Sequence, residues 1–80
     1  MKYRFLVKTK ISPKVFDPQA ATVERYLQKH LYPVSEVSMG KTFEFNVEAR
    51  SKEEALQIVE NLSREVLTNP ILEIYEVEEK

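Results

Sequence analysis

Eighty residues allow one hydrophobic core and no second, so one domain spanning 1–80 is expected. A chain 42% hydrophobic and 31% charged, with a formal net charge of -1, is composed like a globular protein and unlike a disordered or membrane-embedded one. The absence of cysteine excludes disulfides, thiolate chemistry and cysteine-based zinc sites. No apolar run nears the ~18 to 20 residues of a membrane span, which leaves the cytoplasm as the expected location.

Residues 2–11, K-Y-R-F-L-V-K-T-K-I, alternate, with Tyr3, Phe5, Val7, Thr9 and Ile11 on one side and mostly charged residues on the other. Such a period of two predicts a strand with one buried face. Asp17-Pro18-Gln19 then reads as a helix start. The Asp17 carboxylate is placed to accept the amide hydrogens of Gln19 or Ala20, and Pro18 occupies the first helical position, where its missing N–H costs nothing. From Pro18 to about Leu31 the apolar residues Ala20, Val23, Leu27 and Leu31, with His30, recur at helical spacing. Tyr32-Pro33 ends that helix.

A short strand is expected from Val34 to Met39. After it, T-F-E-F-N-V-E-A alternates Phe43, Phe45, Val47 and Ala49 with polar residues. The only glycine in the chain, Gly40, predicts a hairpin turning at Met39-Gly40-Lys41 through a positive φ, or else one long strand kinked or bulged there. Ser51 with Glu54 three residues on forms a capping box, and Ala55, Ile58, Val59, Leu62 and Val66 mark the buried face of a second helix. This helix ends near Thr68-Asn69-Pro70, and I-L-E-I-Y-E-V reads as a last strand. The order β-α-β-β-α-β predicts a ferredoxin-like α+β sandwich, an antiparallel sheet with two helices on one face.

Reactive constellations are scarce. The single histidine, His30, has neither a cysteine nor a second histidine with which to build a metal site or a nucleophilic triad. One glycine cannot make a phosphate loop. Glu53-Glu54 opens a helix and Glu78-Glu79 lies in a charged tail, so neither pair has the sheltered environment that drives two carboxyl pKa values apart. Lys2, Arg4, Lys8, Lys10 and Lys14, interleaved with aromatics, resemble an RNA-binding sheet. In the expected topology, however, the neighbouring strands bring Glu44, Glu48, Glu73, Glu76 and Glu78 beside them, and the aromatics face the core. The last strand is apolar on both faces, with Ile71, Tyr75 and Val77 on one and Leu72 and Ile74 on the other. This is either an imperfect strand with an exposed tyrosine, single exposed apolar groups being normal, or, together with Leu6, a self-association or partner surface on the open face. At this length a core rarely supplies more than ~3 to 5 kcal/mol, which also favours association.

Four pieces in order, V-F-D-P-Q (15–19), V-S-M-G-K (37–41) with F-E-F after it, the capped second helix and L-T-N-P-I-L-E-I-Y (67–75), resemble the PurS family, the small subunit of phosphoribosylformylglycinamidine synthase. The resemblance covers essentially the full length. It makes Asp17, Pro18, Gln19, Gly40, Lys41, Asn69, Pro70, Glu73 and Tyr75 motif or subunit-interface residues. Ala20 stands where the family usually has glycine, and Ser38 where arginine is common.

The resemblance implies a subunit of an ATP- and glutamine-dependent C–N ligase complex in purine biosynthesis, with no catalytic, cofactor or metal site of its own. It implies association with itself, with a large synthetase subunit that uses ATP and magnesium, and with a glutaminase subunit whose ammonia passes to the synthetase. Neither nucleic acid nor membrane is an expected partner. The alternative is a stand-alone small-molecule-binding regulatory domain of the same fold, for which the loop Ser12-Pro13-Lys14-Val15-Phe16 lacks the usual glycine.

Overall fold

The computed structural model describes residues 1–69 and 71–80. Five regular elements follow the chain: β1 (Lys2–Ile11), α1 (Pro18–Lys29), β2 (Gly40–Glu48), α2 (Lys52–Leu62) and β3 (Glu73–Glu79), with a π-helical turn at Ser63–Leu67. The sheet is antiparallel in the order β2-β1-β3, the arrangement of the ferredoxin-like α+β class. β1 is central. Phe5 stands opposite Phe45, Val7 between Phe43 and Val77, and Thr9 opposite Tyr75. Phe5, Val7, Val47 and Ala49 are buried against Ala55 and Val59 of α2. The alternation of β1 therefore becomes one face under α2 and one open face.

On the open face the charges pair across the strands. Arg4 meets Glu44 and Lys8 meets Glu78, each at 3.6 Å. The pairs flank Leu6, which is only half-buried. The aromatics pack toward the core, and of the basic residues in the RNA-like pattern Arg4 and Lys8 are paired across the strands.

Two helix starts match their sequence signals. Asp17 Oδ1 accepts from the N–H of Gln19 at 3.0 Å and of Ala20 at 3.2 Å. Ser51 Oγ accepts from the N–H of Glu54 at 3.1 Å, while the Glu54 carboxylate accepts from the N–H of Arg50 at 3.4 Å in place of the Ser51 N–H that a full capping box would use. α2 is less regular at its other end. The buried series Ala55, Val59, Ser63 resumes only at Thr68, because the N–H and hydroxyl of Thr68 both donate to Ser63 O across a widened turn. That extra residue rotates Val66 out of the face expected for it, leaving it 75% exposed.

The strand expected at Val34–Met39 does not form, nor does the hairpin at Gly40. This segment places its apolar groups at Val34, Val37 and Met39, which is not a period of two. Its backbone polar groups are met by α1: Gln28 Nε2 donates to Val34 O at 3.1 Å, and Val37 N–H donates to Glu24 at 2.7 Å. Glu36 has a φ of 53° and interrupts any extended run. Gly40 begins β2 opposite Lys10, without a positive φ and without the alternative kink. Its glycine character serves close approach, because a Cβ there would collide with the Thr9 carbonyl oxygen.

Candidate functional site

The two helices differ in how they use their apolar faces. α2 packs on β1 and β2, whereas α1 makes no comparable packing against any strand. On α1 only Ala20 is buried. Tyr26 is 63% exposed and Leu31 91%, with Val23, Tyr32 and Phe16 also open. The chain is accordingly elongated, with a radius of gyration of 16.1 Å and extents of 52 × 24 × 13 Å, where about 12 Å suits a compact chain of this length.

The helix end sharpens this. Leu31 N–H donates to Gln28 O and Tyr32 N–H to Leu27 O, a Schellman arrangement that asks for glycine at position 31. Leu31 holds a φ of 68°, a left-handed conformation that costs a side-chain-bearing residue roughly 1 to 2 kcal/mol. Its side chain gains almost no burial in return.

Five of the motif residues converge. Asp17, Gln19, Gly40, Lys41 and Glu73, with Lys10 and Met39, line a cleft of about 390 Å³ where β1 ends and β2 and β3 begin. Each is positioned by its element: Asp17 by capping, Gly40 by its contact with Thr9, and Glu73 by accepting the Asn69 N–H at 2.7 Å. Pro18 lies beside them at the first turn of α1. Asn69 shapes the entry to β3, its carbonyl accepting from Leu72 and Glu73 and its side-chain oxygen from Ile71. Pro70 lies outside the described residues. Tyr75 stands apart in an adjoining cleft, its hydroxyl donating to Glu60 of α2 at 2.8 Å.

That hydrogen bond raises the Tyr75 pKa, with partial burial adding to it. Lys52 is likewise raised, mainly by its hydrogen bond to Glu79 at 2.8 Å and then by the same charge. Both contacts tie α2 to β3. His30 caps the end of α1 and its ring lies against that of Tyr26, with centroids 4.4 Å apart and planes tilted by 45°. Among the described residues no group of three or more His, Asp or Glu is placed to hold a metal ion, and no helix is long and apolar enough to cross a membrane. The Thr9 and Ser63 hydroxyls are buried without a partner among the described residues. The arrangement presents an open apolar helix face and a charged cleft.

Sequence reasoning missed Lys10 and Leu31 as members of these surfaces. The signal for Lys10 was its register, which sets it between Gly40 and Ile74 instead of beside a carboxylate. For Leu31 it was a leucine at the glycine position of a helix end.

Comparison with known proteins gives one answer throughout. The family model PurS, described as Phosphoribosylformylglycinamidine (FGAM) synthase, matches residues 4–80. The chain is 37% identical over 78 residues to the phosphoribosylformylglycinamidine synthase subunit PurS of Thermotoga maritima, covering 96% of this chain and 95% of the relative. The crystal structure of the purS subunit from Thermotoga maritima superimposes with a TM-score of 0.91 at 36% identity, covering 100% of this chain and 93% of that one. A chain in the structure of PurLQS from Thermotoga maritima gives 0.93 at 36% identity, covering 100% and 99%.

Proposed function

This chain belongs to the PurS family of phosphoribosylformylglycinamidine synthase subunits, and from that premise we propose that it is the docking subunit of the enzyme, without a catalytic centre of its own. PurS is a subunit of this synthase in purine biosynthesis, and the reaction is that of a ligase. In the proposed division of labour the chain joins the synthetase subunit, which uses ATP and magnesium, to the glutaminase subunit, and supports the passage of ammonia between them in the cytoplasm. It associates with a second copy of itself through α1.

The observation that carries the reading is the open apolar surface along α1 and the turn that ends it. An apolar helix face left in water forfeits on the order of 1.5 to 3 kcal/mol per large side chain that burial would return. Here Tyr26, Leu31 and Tyr32 stay open while the same chain packs α2 closely. Leu31 also holds an unfavourable φ while its side chain stays almost fully exposed. A chain built this way gains its remaining stability from association. The cleft around Gln19, Gly40 and Lys41 lies at one end of the sheet, beside the start of α1, and is the proposed contact with a larger subunit.

Reconstitution tests this. The synthetase and glutaminase subunits are expected to show little glutamine-dependent formation of the amidine until this chain is added, while ammonia-dependent synthesis by the synthetase changes less. Full glutamine-dependent activity without the chain would end the proposal. Saturable binding of an amino acid or nucleotide by the isolated chain, with reconstitution indifferent to it, would favour the regulatory alternative.

A further inference from the structure

Resting on the association through α1 just proposed, we infer that Glu24 and Gln28 are positioning residues: they latch α1 to residues 34–37, and this latch sets the angle at which α1 presents Tyr26 and Leu31 to a partner. Packing on the sheet does not set that angle. The one buried residue of α1, Ala20, lies near its start. Ala21 and Glu24 of α1 and Ile11 of β1 line an open cleft of about 650 Å³. From Ala20 to its end at Lys29 the helix reaches roughly 14 Å beyond the buried contact. A lever held at one end needs a second attachment to fix its direction.

Two side chains one turn apart supply it. Val37 N–H donates to Glu24 Oε1 at 2.7 Å, and Gln28 Nε2 donates to Val34 O at 3.1 Å. Moving four residues forward on α1 moves three residues back on the segment, so the segment runs antiparallel along the helix. Val34 and Val37 are its half-buried residues, and Ala21, Glu24 and Leu27 are those of α1.

The backbone is bent to make these contacts. In an extended chain the polar groups of residues 34 and 37 would point to opposite sides, because successive residues alternate. Here both reach α1, and Glu36, left-handed with a φ of 53°, supplies the turn between them. Leu31, with a φ of 68°, reverses the chain at the helix end so that the segment can run back. Two side-chain-bearing residues thus hold a conformation that disfavours them along this short path. At its far end the segment joins the sheet at Gly40, which lies too close to the Thr9 carbonyl oxygen to admit a Cβ. The angle of α1 is therefore referred to the sheet through the latch.

The two contacts have opposite chemical requirements, an acceptor at position 24 and a donor at position 28. The experiment compares the full wild-type chain with Glu24→Gln, which keeps a side-chain oxygen, Glu24→Ala, which removes it, and Gln28→Ala, which removes the donor. Sedimentation equilibrium reads self-association, and amide exchange reads the Val37 N–H. Glu24→Ala is expected to weaken self-association about tenfold and to speed Val37 exchange by a similar factor. Gln28→Ala, at the more exposed contact, should weaken association about threefold. Glu24→Gln should lie close to wild type in both readouts, and urea unfolding verifies that every variant keeps the α2 core. Wild-type association in Glu24→Ala and Gln28→Ala, or an unchanged Val37 amide in Glu24→Ala, would overturn the latch and leave association through α1 intact. A Glu24→Gln variant as weak as Glu24→Ala would assign the effect to charge and also overturn it. A wild-type chain that is monomeric at every concentration would end both.

Discussion

α1 and α2 have comparable amphipathic patterns and properly capped starts, yet one is built into the core and the other is not. Val59 of α2 is fully buried, while Val23 of α1 is 38% exposed. α2 is tied to the sheet by packing and by Tyr75–Glu60 and Lys52–Glu79; α1 is tied chiefly to the irregular segment beside it, through Glu24 and Gln28. The difference teaches that amphipathic periodicity states that a face will be covered, without stating by what. In this chain one helix is packed into the core and the other keeps its apolar face open.

The same substitution in the two helices should break or support that contrast most sharply. Val59→Ala removes buried methyl groups and should cost about 2 kcal/mol in urea unfolding. Val23→Ala should change the stability of the dissociated chain by less than about 0.5 kcal/mol while weakening self-association. Equal losses in both would place α1 in the same packed core as α2.

Capping gives the next contrast. Ser51→Ala and Asp17→Ala each remove a side chain that accepts backbone hydrogen bonds, worth on the order of 1 kcal/mol. Ser51→Ala should lower the global unfolding midpoint. Asp17→Ala should instead speed amide exchange over residues 19–29 and leave the exchange of β1 and α2 nearly unchanged.

Much of this was legible in the sequence, for identifiable reasons. The caps at Asp17 and Ser51 are local chemistry, and the alternation in β1 and β2 is a direct consequence of strand geometry. What escaped depends on other parts of the chain. Val34–Met39 carries strand-forming residues, but α1 satisfies its polar groups first. Gly40 is required by a neighbouring carbonyl and not by its own φ. Val66 is turned outward by a π-turn set by Thr68. The cleft was half legible: its motif residues were named, but their meeting, and the isolation of Lys10, follow from register.

The smallest expected effect is on pH dependence. The folded state raises the pKa values of Tyr75 and Lys52 above their ordinary 10.0 and 10.5. Their contribution is therefore complete below about pH 10 and is lost as pH rises through the higher folded values. Urea midpoints should fall slightly between about pH 9 and about pH 11, with Tyr75→Phe removing the tyrosine's share. A midpoint that rises over this range would contradict the account of how α2 is tied to β3.

The claim that α1 is reserved for association is tested most directly by sedimentation equilibrium of the isolated chain beside a Tyr26→Glu/Leu31→Glu variant. The account predicts that wild type sediments as a dimer or higher oligomer, and that the variant sediments as a monomer with the α2 core still folded. A wild-type chain that is monomeric at every concentration, or a variant that associates as well as wild type, would contradict it.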